Sequence, residues 1–241
     1  MSTEPPQTTA PVTPIASLDD PRVIQILSTE HWSLLGARSL AYNEAFIRGG
    51  MFLTFLSMSF VALALLAQGM SFGDQFLTIA AVVLAFDLVI GLATYGRISG
   101  ANVDDMRAIH GMARIRHAYT QIAPITKPYF TTATHDDPES VLTAYGTMPS
   151  SAAGTFFYAM TTSGGMIGLI TSMVGGVLAA VLGLILGISG ELALWIGLGG
   201  GVLVFVAILA ATLGSVPRTQ ASLQALFPAT DEAAPAPEPR P

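Results

Sequence analysis

The sequence predicts an all-α integral membrane protein with four transmembrane helices arranged as two hairpins, with cytoplasmic and interfacial helices between and before them. The first observation is composition, because 51% of the 241 residues are hydrophobic and 11% are charged, whereas about 25% of residues are charged in a soluble domain. The second is the presence of four long apolar runs in two pairs. The third is that the short links within each pair contain no Lys or Arg. These features predict a multi-pass protein of the cell membrane.

The chain begins with a polar tail and a helical region. Residues 1–16 are rich in Pro and Thr and have little apolar surface to stabilise a fold, which predicts disorder. An acidic residue at Asp20 before Pro21 is typical of a helix start. We expect residues 17–48 to form an amphipathic region that is broken near Ser28–His31.

One face of this region consists mainly of aromatic and small residues. Its members recur at steps of three and four residues, which is the spacing of a single helical face. Two interpretations remain open: a helix lying on the inner membrane surface, or a helix that binds a partner or a second copy of the chain. The face comprises Trp32, Leu35, Ser39, Tyr42, Phe46 and Gly49.

The first predicted hairpin covers residues 49–96. Gly49–Gln68 and Phe76–Tyr95 are uncharged apart from one residue, and at about 1.5 Å per residue each can cross a hydrocarbon core of roughly 30 Å. The seven residues between them, Gly69–Gln75, allow only a tight turn.

Asp87 is the one ionisable residue well inside a predicted span. An ionised Asp at mid-membrane costs about 2.5 to 3.5 kcal/mol on insertion scales, so we expect Asp87 to face protein. Ser57 and Thr54 lie at a similar depth in the first span, and we predict that Asp87 hydrogen-bonds to one of them. The acid is then either a proton or cation site or a protonated group that holds two helices together.

Residues 97–160 form a basic segment between the hairpins. The chain has ten Lys and Arg residues, of which three precede the first span, five lie in this segment and two follow the last span. The positive-inside rule therefore places both termini and this segment in the cytoplasm. The five are Arg97, Arg107, Arg114, Arg116 and Lys127.

Several elements are predicted within this segment. A helix should begin at Asn102, where acids follow a capping residue, and end near Ile122 before Pro124. Three further elements are an extended loop over Pro128–Thr134, a short helix from Asp136 to about Tyr145, and an interfacial helix over Ser150–Thr162.

Arg107, His110, Arg114 and His117 fall on one face of the first of these helices. Such a face suits anionic lipid headgroups, and it also suits a phosphate-bearing ligand, because Arg can contact phosphate with two donors at once. The net charge of −6 argues against a nucleic-acid partner.

The second hairpin, residues 161–216, is rich in glycine. We expect spans over Gly164–Ile188 and Ala193–Val216, joined around Ser189–Leu192. Small residues spaced by four let helix backbones approach closely, either within one chain or in a homo-oligomer. Those chosen as packing positions are Gly168, Ser172, Gly176, Gly183, Gly197 and Gly201. Residues 217–241 should form a cytoplasmic Pro- and Ala-rich tail that is disordered from Pro228.

The sequence carries no signature of catalysis. It has no cysteine, and it lacks the HExxH and GxxxxGK[ST] patterns, so we predict no metal, no cofactor and no enzymatic activity. The favoured function is a scaffold or interaction protein that uses helix packing and a basic face toward a cytoplasmic protein partner and the lipid bilayer. The alternative is a small oligomeric transporter or channel subunit with Asp87 as its proton or cation site.

HWSLLGARSLAYNEAFIRGGMFLTFLS and GMARIRHAYTQIAP resemble segments of uncharacterised bacterial, especially actinobacterial, multi-pass membrane proteins. This resemblance spans residue 31 to about residue 135 and implies a membrane location without an activity. The chain is also similar to two-span modules of bacterial defence systems, in which a helix leads into a membrane hairpin followed by cytoplasmic helices. It departs from them by adding a second hairpin and lacking a nucleotide-sensor domain, so no functional residues are carried over.

Overall fold

The structure is a computed structural model that describes residues 17–143 and 151–229. Every regular element in those residues is helical, which confirms the predicted all-α class. Four of the helices are long and apolar enough to cross a membrane. In chain order the elements are α1 (Pro21–Met70), α2 (Asp74–Ile122), a 3-10 helix (Pro124–Tyr129), α3 (Pro138–Thr143), α4 (Ala152–Thr161), α5 (Ser163–Ile185) and α6 (Gly190–Ser222).

The first helix is continuous over 50 residues, which is about 75 Å at 1.5 Å per residue. It starts as predicted, with the Asp20 carboxylate accepting a hydrogen bond from the Arg22 N–H at 2.9 Å. The predicted break near Ser28–His31 is wrong. That stretch contains neither Gly nor Pro, and the Thr29 hydroxyl donates to the Gln25 carbonyl one turn earlier at 2.8 Å, so it does not compete with the helix.

The second helix is equally long, at 49 residues. The predicted span and the predicted cytoplasmic helix from Asn102 are therefore one element, and only its end at Ile122 is as predicted. It runs antiparallel to α1 after a link of three residues, Ser71–Gly73, which is shorter than the predicted Gly69–Gln75. Ser71 closes α1 in the left-handed conformation, with φ 51°, and its N–H donates to the Ala67 carbonyl at 3.0 Å.

Both helices continue well beyond their apolar runs. We call this part the stalk; it comprises residues 21–48 of α1 and residues 96–122 of α2, each about 40 Å long. The stalk has a small core of its own, in which Ile109 and Met112 pack with Val141 of α3.

The core of the apolar region lies where α1, α2 and α5 meet, around Phe52, Leu84 and Val174. Gly91 of α2 sits at this junction. A Cβ there would be 2.6 Å from the Thr171 hydroxyl and 3.0 Å from the Phe52 ring, so a larger residue would force the helices apart. The last helix, α6, packs on α5 and leaves large apolar side chains exposed on its other faces, as expected of a helix in contact with lipid.

The link between α5 and α6 comes earlier than predicted. It is formed by residues 186–189 and not by Ser189–Leu192, because Gly187 adopts a φ of +76° that ends α5 at Ile185. Glu191 consequently lies in the first turn of α6.

The segment between the helix pairs is more ordered than predicted. The 3-10 helix occupies the start of the predicted extended loop at Pro128–Thr134, α3 confirms a short helix after Asp136, and α4 lies within the predicted Ser150–Thr162. The membrane-surface position of α4 stays a prediction, and Tyr145 lies outside the described residues.

The last helix extends past the predicted span end at Val216 to Ser222. Residues 223–229 then fold back onto α2, although the chain from Pro228 was predicted to be disordered. The predicted N-terminal tail, 1–16, and residues 230–241 lie outside the described residues.

Candidate functional site

Asp87 is completely buried between α1 and α2. Its Oδ1 accepts a hydrogen bond from the Ser59 hydroxyl at 3.0 Å. Its Oδ2 is also buried and has no hydrogen-bond partner among the described residues. The structure thus shows a buried acid within an apolar helix of membrane-spanning length, and one of its two carboxylate oxygens has no hydrogen-bond partner among the described residues.

The predicted partners of Asp87 are wrong. The Ser57 hydroxyl donates to the Leu53 carbonyl at 2.8 Å, and the Thr54 hydroxyl donates to the Gly50 carbonyl at 2.9 Å. Both side chains are exposed on the outer face of α1. Ser59 lies seven residues after the buried Phe52 and so shares its face, a periodicity that could have identified Ser59 from the sequence.

A buried ion pair fastens the two helices of the stalk. The Arg38 guanidinium donates to the Asp105 carboxylate, which also accepts a hydrogen bond from the Tyr42 hydroxyl at 3.0 Å. Burial alone would lower the pKa of Arg38, but the adjacent Asp105 raises it above its ordinary value. Burial and the same carboxylate raise the pKa of Tyr42. The sequence analysis did not single out this triad, in which Asp105 follows Arg38 by 67 residues and Tyr42 by 63 residues.

The predicted basic face of α2 does not form one open surface. Arg107 is exposed and paired with Asp104 at 3.1 Å. His110 is buried, and burial together with the charge of Arg114 lowers its pKa, although Asp136 and Asp137 act in the opposite direction. The face was predicted to contact lipid or phosphate because no sequence pattern indicates that residues 130–137 and 223–229 cover it.

Arg114 and His117 contact those covering segments. Arg114 Nε lies 2.7 Å from the Asp136 carboxylate, and its Nη2 donates to the Gln224 carbonyl at 2.6 Å. The His117 ring stacks on the Phe227 ring with centroids 4.4 Å apart. Both side chains therefore contact the chain's own segments, and the predicted lipid contact stays a prediction.

Asp136 holds the C-terminal segment against α2. Its buried carboxylate accepts the backbone N–H groups of Leu226 at 2.9 Å and Phe227 at 2.7 Å, and its own N–H donates to the Phe227 carbonyl at 3.3 Å. Burial would raise the pKa of Asp136, but these N–H donors and Arg114 hold it below its usual range. We call Arg114, Asp136 and residues 224–229 the C-terminal clamp.

Most of the aromatic face of α1 is exposed, although its Tyr42 hydroxyl donates to Asp105 of α2 and its Gly49 is buried. Leu34 and Arg38 also contact α2, whereas Trp32 is 68% exposed and Phe46 is 72% exposed. Leu35 and Tyr42, on the same side, are also exposed. We call Trp32, Leu35, Ser39, Tyr42 and Phe46 the apolar stripe.

The glycine positions predicted for helix packing are used within the chain. A Cβ at Gly176 would lie 2.7 Å from the Gly197 carbonyl oxygen, and one at Gly201 would lie 3.2 Å from the Ser172 carbonyl oxygen. A Cβ at Gly168 would meet the Tyr95 ring of α2 at 3.2 Å, and one at Gly183 would reach Ala193 at 3.6 Å. Beside these contacts runs an apolar groove of about 680 Å³ between α5 and α6, bordered by Met173 and Phe205.

Comparison of the chain with protein-family models, with curated proteins and with solved structures found no match. The resemblance to actinobacterial membrane proteins therefore stays a prediction, and function has to be argued from the geometry of the molecule.

Proposed function

We propose that the chain is a membrane-anchored, non-enzymatic interaction protein whose stalk presents the apolar stripe to a protein partner. The observation that carries this proposal is the exposure of Trp32 and Leu35 on a helix that continues uninterrupted into a membrane-spanning run. Contiguous apolar surface that would otherwise face water marks interaction sites in soluble regions.

The continuity of α1 supports partner binding over membrane-surface binding. Leu35 and Trp32 precede Gly49 by 14 and 17 residues, which is roughly 21 to 26 Å of helix. Because α1 is one continuous helix whose apolar run we place in the bilayer, we infer that Trp32 and Leu35 project beyond the headgroups. A partner surface is then the environment that removes these side chains from water.

The anchoring half of the proposal rests on the four apolar helices. We propose that they cross the membrane as two hairpins with both termini in the cytoplasm, which the absence of Lys and Arg from both links supports. The Arg38–Asp105 pair holds the stalk helices together, so the stripe is presented on a preorganised surface and ordering costs on binding are small.

The docking proposal is tested with a Trp32→Ser and Leu35→Ser double variant. We expect partner recovery, measured by cross-linking in intact membranes and quantitative mass spectrometry after mild-detergent purification, to fall at least about tenfold, because buried Trp residues dominate interface energies. Leu40→Ser is the matched control, since Leu40 is 69% exposed but lies on another face of α1. Equal recovery from the double variant and the control would overturn the proposal, and loss of a self-cross-linked species would identify the partner as a second copy.

The position of the stripe relative to the bilayer has an independent test. The chain has two Trp residues, of which Trp195 lies at the start of α6 and is exposed. In vesicles containing brominated lipid, we expect Trp195 fluorescence (measured in a Trp32→Phe variant) to be quenched and Trp32 fluorescence (measured in Trp195→Phe) to be unaffected. Equal quenching of both Trp residues would indicate that the start of α1 lies on the membrane surface.

A second candidate function is a proton or cation site at Asp87. The observation that favours it is the buried, unpartnered Oδ2 beside the Ser59 hydrogen bond. Intramembrane acids commonly mark ion pathways. If the site conducts, Asp87→Asn abolishes ion flux in proteoliposomes without loss of folded protein, while Asp74→Asn, at the exposed start of α2, retains it. Equal flux in both variants would leave Asp87 as a structural contact between helices.

A further inference from the structure

Arg116 lies at the interface of the two stalk helices, near the end of the stalk that is farther from the apolar runs. The antiparallel register of α1 and α2 is fixed by the Arg38–Asp105 pair and by the contact of Leu34 with Gly111. Continuing by helical turns, Asp105, Met112 and Arg116 share one face of α2, and Arg116 comes opposite His31 of α1.

Arg116 differs from the other arginines whose side chains the structure describes. Each of those takes part in an ion pair with Asp or Glu, and the six are Arg22, Arg38, Arg48, Arg97, Arg107 and Arg114. Arg116 makes no such pair with any described residue. Its guanidinium donates one long hydrogen bond, at 3.5 Å, to the Ala133 carbonyl. Because an arginine keeps its proton in proteins, this half-buried group is a fixed positive charge without a counter-charge.

The surroundings of Arg116 add further positive charge and an unused polar atom. Burial and the charge of Arg38 lower the pKa of Arg116, and burial and the charge of Arg116 lower the pKa of His31. His31 Nδ1 is buried and has no hydrogen-bond partner among the described residues. Asp105, the nearest acid on this face, already accepts hydrogen bonds from Arg38 and Tyr42.

We propose that Arg116 and His31 form a binding site for the phosphate group of a soluble ligand. A guanidinium presents paired donors that match phosphate oxygens, and an anion would supply the missing counter-charge. His31 precedes Gly49 by 18 residues, about 27 Å of helix, which is several Debye lengths of about 8 Å, so headgroups of the protein's own membrane do not reach the site. The site adds a small-molecule ligand to the proposed docking function; it does not require a protein partner, but it rests on the same proposed placement of the stalk outside the bilayer.

The test uses the full chain in neutral detergent with inorganic phosphate as the probe, titrated by calorimetry at constant ionic strength. We expect saturable binding with half-saturation on the order of millimolar, as for a small anion held by few contacts. Affinity should fall at least tenfold in Arg116→Gln and change less than twofold in Arg107→Gln, which removes an exposed arginine outside the site. Absence of saturable binding, or equal affinity in both variants, would overturn the proposal.

A second readout uses the unmodified sequence and so does not depend on whether a variant folds. Phenylglyoxal modifies accessible guanidinium groups, and its reaction at each arginine can be followed by mass spectrometry. We expect saturating phosphate to slow modification of Arg116 at least fivefold while leaving Arg107 unchanged. Unprotected Arg116, or protection only by phosphoinositide vesicles, would contradict a soluble phosphate site. Protection only by an acidic peptide would assign Arg116 to a protein partner's carboxylate.

Discussion

The first helix pair, α1 and α2, and the second helix pair, α5 and α6, are held together by different chemistry. In the first pair, polar side chains meet across the interface, as in the Ser59–Asp87 hydrogen bond and the Arg38–Asp105 ion pair. In the second pair, backbone meets backbone at Gly176 and Gly197, and α5 contains no titratable residue at all.

This difference follows from where each pair has to be stable. Within lipid, apolar side chains gain little from contacting one another, so close backbone approach through small residues provides the packing. The first pair continues beyond its apolar runs, and there polar contacts as well as apolar ones join its helices. Candidate chemistry is therefore found in the first pair, and the second pair provides a packing surface.

The substitution with the largest expected effect on stability disrupts the packing of the second helix pair. Gly176→Leu places a side chain against the Gly197 carbonyl oxygen and the Gly201 Cα, which a Cβ would approach to 2.7 and 3.2 Å. We expect a loss of about 3 kcal/mol or more, because backbone cannot move aside as a flexible side chain can. Thermal unfolding of the purified protein measures it. Gly199→Leu is the control, since nothing lies within 4 Å of that position, and similar losses in both would refute backbone packing as the cause.

A substitution with a somewhat smaller expected effect on stability disrupts the contact between the first pair of helices in the stalk. Asp105→Asn leaves the Arg38 charge without its partner and removes an acceptor from Tyr42. Breaking a fully buried ion pair costs about 3 to 5 kcal/mol. Arg38 is 27% exposed and can partly rehydrate, so we expect about 2 kcal/mol. Denaturation monitored by Trp32 fluorescence measures it, with the exposed Asp104→Asn as control; an unchanged midpoint for Asp105→Asn would show that the pair contributes nothing.

The smallest effect is a pH dependence at the C-terminal clamp, caused by His110, which is not a member of the clamp but interacts electrostatically with its Asp136 and Arg114. The folded pKa of His110 lies below 6.5, so its contribution to stability is present above pH 6.5 and is lost as pH falls toward the folded pKa. The lowered pKa of Asp136 removes a further contribution below pH 3.8. We expect hydrogen-exchange protection of the Leu226 and Phe227 amides to decrease severalfold between pH 7.5 and 5.5.

The second helix pair supplies the control for this pH effect. The Gly165 amide, held by the Thr162 hydroxyl at 3.1 Å, should keep its protection over the same range. In His110→Gln the pH dependence at Leu226 should flatten. A parallel loss of protection at Gly165 would instead indicate global acid destabilisation.

Much of the fold could be predicted because it depends on local patterns. Hydropathy identified the four helices of spanning length, and Pro124 correctly marked the end of α2. The continuity of α1 and α2 was missed because polar residues after an apolar run were taken as a new element. Packing between the two helices stabilises these stretches, and a sequence pattern in one helix does not reveal its neighbour.

The candidate sites were predicted less well because they depend on contacts between distant residues. A hydrogen bond from Asp87 to a serine of α1 was predicted, but choosing Ser59 over Ser57 required knowing which face of α1 meets α2. The clamp joins Asp136 to residues 90 and 91 positions away, a pairing that composition does not encode. Arg116 was indistinguishable from the other arginines until its neighbours' ion pairs were known.

The continuous α1 makes the molecule a lever. Ser59, beside Asp87, and Trp32, in the apolar stripe, are 27 residues apart on one continuous helix, a distance of about 40 Å. A tilt of about 5° around the membrane contact would displace Trp32 by roughly 3.5 Å on this length. If α1 moves as one unit, a displacement beside Asp87 would be transmitted to Trp32 without any change in secondary structure.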